Sequence, residues 1–533
     1  MSDYCVIGSG PAAVSAAMAL TRRNLRVVML DAGISLDAER RHLVSQLSER
    51  LPHEWRAAEV ARLKEGIEAT AAGIPLKRLY GSDFPFQSGG IRWTLQSTTT
   101  GIRPSFAKGG LSTVWGAGVL PFHPADMADW PFDPSELDPH YREVFSFLPC
   151  AAARDDLEEV FPIHSVAPHD LQPSRQAAAF LQDAAQARDR LRRDGIVIGR
   201  SRLAVQPRGA APAGGQPCQY CGLCLYGCPY ELIYSAEHTL RMLRSRPNFR
   251  YVPDFVVDRL REDHNEVTVT GYDRRTGEPR EVRAGRVFLG AGVIPSTLII
   301  LCSLGEFGVR LRIQDSFYFL LPLVRVRGTP QLQEEKLHTL AQAFIAIRDE
   351  EICRYLVHLS VYTFNDLLAP SLRAAAGPLS RFGSAFAEAM ASRMLVCGGY
   401  LHSHLSPGMW ITVKNSGDTT TVHLEAEDSR RAKSVARRVG MKLVKTAASL
   451  RGIPLVPMIR FSHPGRGFHS GGSFPISRER SSHTADLEGR PYGFDRVHLV
   501  DASCLPSIPA STITLPVMAN AHRIATLAAQ RGL

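Results

Sequence analysis

The sequence predicts a mixed α/β fold in two domains: one on a parallel sheet with a dinucleotide-binding turn, the other on a mainly antiparallel sheet. Two observations predict the first domain. Asp3 to Ala32 reads as strand, glycine turn, helix and second strand, and a second strand-to-glycine-to-helix junction stands at 286–295. One observation predicts the second domain: residues 315–424 hold several strand patterns, including a hairpin of Met409–Lys414 and Thr420–Leu424 around Asn415.

The first unit is the most informative. Cys5, Val6 and Ile7 form the short apolar run of a buried parallel strand. Gly8, Gly10 and Ala13 stand at the G-x-G-x-x-G/A spacing, with Pro11 opening the helix. Small residues there permit a tight turn, close approach of the backbone to a pyrophosphate and close packing of helix on sheet. The helix N-terminus offers free N–H groups to phosphate. Val27–Leu30 is the next strand, and Asp31, followed by Ala32, stands where an acid accepts hydrogen bonds from an adenosine ribose. The unit is Rossmann-like, and these residues alone leave FAD and NAD open.

Further elements follow in order. Residues 35–75 read as one or two helices. Residues 77–118 are rich in Gly, Ser, Thr and aromatics, and include AKGGLSTVWGAG, whose glycines let backbone approach a flat cofactor. WPFDPSELDPHY, 130–141, reads as a linker into a helix; 151–215 is partly helical and ends in PRGAAPAGGQP. Phe249–Leu260 reads as one strand, followed by strands at 266–272, 280–283 and 286–289, then GAG and a helix from Pro295. Ser429–Leu450 has the apolar spacing of an amphipathic helix with a solvated basic face. Strand 498–500 and helix 514–529 close the chain.

Composition narrows the class. A chain of 533 residues is expected to hold two or three domains. Its net charge of +10 is dispersed arginine, not a basic tail, so nucleic acid is not an expected partner. The one long apolar run, Val287–Leu304, contains Gly and Pro and fits the fold better than a membrane span. The dinucleotide motif begins at residue 3, leaving no room for a leader, so a cytoplasmic location is expected. Of ten cysteines, Cys218, Cys221, Cys224 and Cys228 are spaced C-x2-C-x2-C-x3-C with Pro229 after, the spacing of bacterial ferredoxins. A [4Fe–4S] or [3Fe–4S] cluster is the first expectation; structural zinc, packed thiols and a disulfide are the alternatives. Cys5, Cys302 and Cys504 read as buried thiols, and His402 and His404 as core or pocket histidines before a metal pair.

Several motifs agree in order along the chain, and the sequence resembles the glucose–methanol–choline family of FAD-dependent oxidoreductases. GSGPAA matches that family's FAD fingerprint. AKGGLSTVWGAG is similar to its glycine-rich loop over the flavin, which implies Gly110, Ser112, Trp115 and Gly116 as cofactor contacts. VFLGAGVIPSTLIILCSLG is similar to its second signature, implying Ala291 and Gly292, although Pro295–Ser296 is displaced and Leu304 stands where Gly is common. Val257, in the strand region before it, is a further expected contact. HSGGS, 469–473, looks like the H-x-x-G-T segment. LVDASCLPSIPASTITLPVMANAHRIA is similar to the closing motif, implying Asp501 and Ala502 at the ribitol.

The resemblance implies oxidation of a hydroxyl group of a sugar, polyol or other alcohol by hydride transfer to flavin N5, with His469 as base. The second catalytic position of many relatives, Asn or His, aligns here with Thr512, which can still orient a hydroxyl. Asn520 and His522 fall inside the last helix and read as structural. If the Cys-rich segment holds a cluster, as in large subunits of membrane-linked sugar dehydrogenases, electrons leave through it to a protein or quinone, and a dehydrogenase is expected before an oxidase. Rival readings are a flavin-dependent isomerase or ketone reductase, and a non-catalytic electron-transfer subunit. The implied division is a discontinuous FAD domain over 1–130, 216–305 and 460–533, with a substrate domain over 131–215 and 306–459.

Overall fold

The computed structural model describes residues 2–66, 77–208, 216–365, 388–417 and 419–531. The expected helical stretch at 67–75 and most of the PRGAAPAGGQP run lie outside the described residues.

Three sheets organise the chain. The first runs in the order 249–252, 27–30, 2–7, 279–289, 267–273, 255–262, with 497–499 also on 279–289. Its central pairs are parallel: Cys5 faces Val28 on one side and Val287 on the other. Both neighbours bury this strand, which is why Cys5, Val6 and Ile7 read as a continuous apolar run. The helix Pro11–Thr21 begins on Pro11 with Gly10 as N-cap and no side-chain cap. It packs against the closing helix Thr514–Gln530, and Ser15 Oγ donates to Met518 O at 2.7 Å. The closing helix is buried on nearly every side, so its apolar residues need not fall on one stripe.

The second sheet, ordered 452–454, 317–325, 394–401, 353–362, 343–349, 196–200, is antiparallel throughout, with 460–461 also on 317–325. The third, ordered 470–471, 310–315, 409–416, 419–426, 93–97, contains the expected hairpin, with Met409 opposite Ala426 and Ser416 opposite Thr419. Mixed α/β architecture with a parallel and a mainly antiparallel part is thus the fold.

Two expected elements differ. Phe249–Leu260 is two strands, Phe249–Val252 and Phe255–Glu262. Pro253 removes a ladder donor and Asp254 turns at φ +56°, so the chain leaves the parallel ladder and pairs antiparallel with 267–273. Conversely, 280–283 and 286–289 form one strand, Pro279–Leu289. Its first half pairs with 267–273 and its second half with 2–7 and 497–499. The third sheet also joins Trp93–Ser97, expected in the nucleotide domain, to Thr419–Ala426, expected in the other.

Candidate active site

One long cavity, about 450 Å³, runs from the first turn to the antiparallel sheet. At one end are Gly8, Gly10, Pro11, Asp31 and Ala32. Along its length are Gly110, Ser112, Trp115, Gly116, Val257, Ala291 and Gly292. At the other end are Asp501, Ala502, Thr512 and His469. Of the cofactor contacts expected from sequence, Ala13 alone does not line it. A Cβ on Gly290 would stand 3.1 Å from the Ala13 methyl, so Ala13 lets the helix close on the sheet instead.

The nucleotide end is held by a relay of short hydrogen bonds. Asp31 Oδ2 accepts from Ser9 Oγ at 2.6 Å and from Tyr251 OH at 2.8 Å, and the residue lines the cavity. Ser9 Oγ in turn accepts from Gly109 N at 2.9 Å, which ties the glycine loop to the first turn. Burial pushes the Asp31 carboxyl up to about 6, and the bonds from Ser9 and Tyr251 pull it back. The uncapped helix N-terminus, the close approach of Gly110 to Gly10 and this buried acid fit a dinucleotide cofactor. Asp501 is more committed than expected. Oδ2 accepts from Gly292 N at 2.7 Å and Ser296 Oγ at 2.5 Å, and Oδ1 from Ser503 N at 2.9 Å. Its first task is to fix the glycine turn before helix Val293–Leu304.

At the other end, the backbone around His469 is held by Ser316 N, which donates to its carbonyl at 2.9 Å. The imidazole stacks on Tyr400 at 4.6 Å between centroids and 21° between planes. Nδ1 is buried without a hydrogen-bond partner, so Nε2 is the nitrogen the cavity can reach. Burial pushes the imidazole down to about 4. Behind it, His358 is pushed down to about 3 by burial and by His469 itself. Thr512 Oγ1 accepts from Leu120 N at 3.0 Å, so its own hydrogen is what it can offer the cavity. The sequence did not reveal Tyr318, Tyr362, Tyr400 or Arg466, which also line this end. Nothing local marks them, since they arrive from separate strands and a loop of the folded chain.

The cysteine run lies beside this cavity. Burial pushes Cys218 up to about 11, Cys221 up to about 12 and Cys228 higher, and the thiols raise one another. All four are free, and among the described residues no three His, Cys, Asp or Glu side chains form a group that could hold a metal. The donor set suits iron or zinc in kind but is not gathered around a common point. The disulfide alternative is likewise not formed. Cys224 and Cys228 instead wall a second cavity, also about 450 Å³, which shares Lys77 and Ser112 with the first. Lys77 Nζ donates to Trp115 O at 2.6 Å, and burial lowers its ammonium to about 8.

The other histidines singled out in the sequence pack against neighbouring side chains. His402 stacks on Tyr355 at 3.8 Å and its Nε2 lies 3.2 Å from Asp126 O, while His404 Nδ1 pairs with Tyr355 OH at 2.6 Å. His522 meets His140 at 2.9 Å, and Asn520 accepts from Arg523. Cys5 and Cys504 are buried, Cys302 partly so.

A glycine turn on a parallel sheet thus opens through one cavity onto an antiparallel sheet, with His469 lining that cavity. Residues 426–521, which carry His469, Asp501 and Thr512, match the family model described as GMC oxidoreductase. Among solved structures, the crystal structure of pyridoxine 4-oxidase from Mesorbium loti matches over 99% of this chain and 99% of that one, at 16% identity and a TM-score of 0.57. No curated protein matches the chain in a sequence search. The C-terminal segment is thus similar to GMC oxidoreductases, and the fold of the whole chain to that of pyridoxine 4-oxidase. Among the described residues no helix is long and apolar enough to cross a membrane.

Proposed function

We propose that the protein oxidises a hydroxyl group of a sugar, polyol or other small alcohol to the carbonyl, with His469 as the base. The observation that carries this is the single accessible imidazole nitrogen at the far end of the cavity that begins at the dinucleotide turn. Gly8, Gly10, Asp31 and the loop 110–116 would hold FAD, which when bound supplies a two-electron hydride acceptor.

The chain's own residues manage the proton. A neutral imidazole carrying its hydrogen on Nδ1 presents an Nε2 lone pair to the substrate O–H. Thr512 donates to the same oxygen and sets its direction. The Tyr400 ring, stacked on the imidazole, stabilises the cation formed when Nε2 takes the proton. The expanse of buried aromatic and apolar side chains around the site excludes water and strengthens each of these contacts.

Anaerobic mixing of the FAD-loaded protein with a panel of sugars, polyols and simple alcohols tests this. Bleaching of the flavin with one carbonyl formed per flavin supports it. Conversion of the alcohol with the hydride returned and no lasting bleaching favours an isomerase, re-oxidation of the reduced flavin by a ketone favours a ketone reductase, and neither bleaching nor conversion with any member removes the reading. Re-oxidation of the bleached protein by oxygen or by a quinone then sorts oxidase from dehydrogenase.

The pH dependence follows from burial. A base lowered to about 4 is already unprotonated at neutrality. The kcat/KM for alcohol is therefore expected to be level from about pH 5.5 to 8 and to fall only as pH drops toward 4. An inflection near the ordinary imidazole value would mean that His469 is solvated or is not the base.

A second reading adds an iron–sulfur cluster on Cys218, Cys221, Cys224 and Cys228 as the electron exit. The spacing of the run and the mutual influence of its thiols favour it, and their arrangement opposes it. Iron and sulfide analysis of anaerobically purified protein decides the matter: three or four irons per flavin establishes the cluster, and a clean flavin spectrum without iron removes it.

A further inference from the structure

Among the described residues, the charge around the reacting end of the cavity is one-sided. The acids that line the cavity are Asp31 and Asp501, and each is hydrogen-bonded within the protein. Asp31 is held by Ser9 and Tyr251, and Asp501 by Gly292, Ser296 and Ser503. Lys77 is turned to the Trp115 carbonyl. Arg466 and Arg103 line the same cavity as His469, and the Arg466 guanidinium also faces the Phe468 ring at 5.4 Å. The fold brings these two together: Gly101 N donates to Pro464 O at 2.7 Å, and a Cβ on Gly465 would stand 2.7 Å from the Ile102 Cβ. Arg103 is exposed and Arg466 half-buried, so the pair runs from mouth to interior. The buried acid Asp315 does not line the cavity; its oxygens accept from Gly465 N and Ser470 Oγ, both at 2.8 Å.

Three phenols complete the wall. Tyr318, Tyr362 and Tyr400 line the cavity, and Tyr318 and Tyr400 pack at 4.8 Å between ring centroids. Burial first, and then the neighbouring phenols, keep the Tyr318 and Tyr400 hydroxyls protonated, so they are hydrogen-bond donors beside Arg466. A guanidinium with phenolic donors at its side is a receptor for a carboxylate or phosphate and a poor one for a cation. The cofactor's own phosphates have a separate receptor in the uncapped helix N-terminus at Pro11.

We propose that the alcohol this protein oxidises carries an anionic group, a carboxylate or a phosphate monoester, bound by Arg466 with Tyr318 and Tyr400 beside His469 and attracted at the mouth by Arg103. The proposal rests on the alcohol-oxidation reading above and narrows it to a substrate class.

Matched pairs test it on the FAD-loaded protein: benzyl alcohol against 4-(hydroxymethyl)benzoate, and glycerol against glycerol 3-phosphate. The anionic member of at least one pair is expected to be preferred in kcat/KM by about tenfold or more, and the pair that shows it distinguishes carboxylate from phosphate. In Arg466→Gln the preference is expected to collapse by a similar factor, chiefly through KM, while Arg466→Lys keeps part of it. Arg103→Gln, at an exposed position, is expected to lower the preference several-fold and to make it less sensitive to salt. Equal use of both members of each pair, or an unchanged preference in Arg466→Gln, overturns the proposal. So does loss of FAD from that variant with Arg103→Gln unaffected, since Arg466 would then serve the cofactor. Calorimetric titration with benzoate and benzamide, and with phenyl phosphate and phenol, separates this failure from failure of the alcohol reading. Tighter binding of benzoate than benzamide, or of phenyl phosphate than phenol, supports the anion site even if no alcohol bleaches the flavin, and equal binding within both pairs overturns it.

Discussion

His469→Ala is expected to lower the rate of flavin reduction by alcohol about 100- to 10,000-fold while FAD stays bound. The size follows from what the imidazole does. The substrate O–H must lose its proton as the hydride departs, and no other neutral base lines that end of the cavity among the described residues. Asp501 is occupied by three donors, Thr512 offers a hydrogen rather than a lone pair, and His358 does not line the cavity. FAD retention is expected because the nucleotide end is built from the first turn, Asp31 and the loop at 109–116, none of which bonds to His469. Stopped-flow reduction at saturating alcohol, with flavin content read from the same sample, checks both halves. His469→Gln sharpens the result: it keeps volume and a polar end but no basic nitrogen, so it should be nearly as slow as Ala. A fall below tenfold in either variant would assign the proton to another group. The non-catalytic electron-transfer reading would then regain its footing.

What could be read from the sequence was what is local. The strand, turn, helix and acid of Asp3–Ala32 are neighbours along the chain, so spacing alone carried their geometry. The hairpin at 409–426 was legible for the same reason. Pro253 could have divided Phe249–Leu260, because a residue without an N–H seldom continues a ladder; the apolar run on both sides hid it. The parallel pairing of Trp93–Ser97 with Thr419–Ala426 crosses the expected domain boundary and leaves no trace in either segment. The site shows the same division. His469 was legible from its motif, but its stacking on Tyr400 and the approach of Arg103 to Arg466 depend on long-range packing. The cysteine run was legible as a spacing, and a spacing does not say whether four thiols converge.

Gly8→Ala and Gly10→Ala are expected to fail differently, and the contrast tests the cofactor site without any substrate. Gly8 sits at φ +95°, and a Cβ there would stand 2.5 Å from Gly290 O, an atom of the neighbouring strand's exit. Backbone hydrogen bonds hold both sides of this contact: Gly8 N donates to Leu30 O at 2.8 Å, and Gly290 N to Ile7 O at 2.9 Å. The methyl therefore meets backbone that cannot swing away. Left-handed strain alone costs about 1–3 kcal/mol, and parting the strands adds to it. Gly8→Ala should melt several degrees lower and purify without flavin. Gly10 is otherwise placed. Its φ is −69°, as N-cap of the first helix, and the nearest atom to an added Cβ is Gly110 Cα at 3.9 Å, an ordinary contact. Nothing in the protein resists that methyl, but it would project between the helix N-terminus and the glycine loop, where a pyrophosphate must come close. Gly10→Ala should thus melt like the parent apoprotein yet bind FAD at least tenfold more weakly, about 1.4 kcal/mol. Thermal melting of the apoproteins and flavin titration separate the two effects. Equal melting of both variants would contradict the geometry at Gly8, and full FAD affinity in Gly10→Ala would place the pyrophosphate elsewhere.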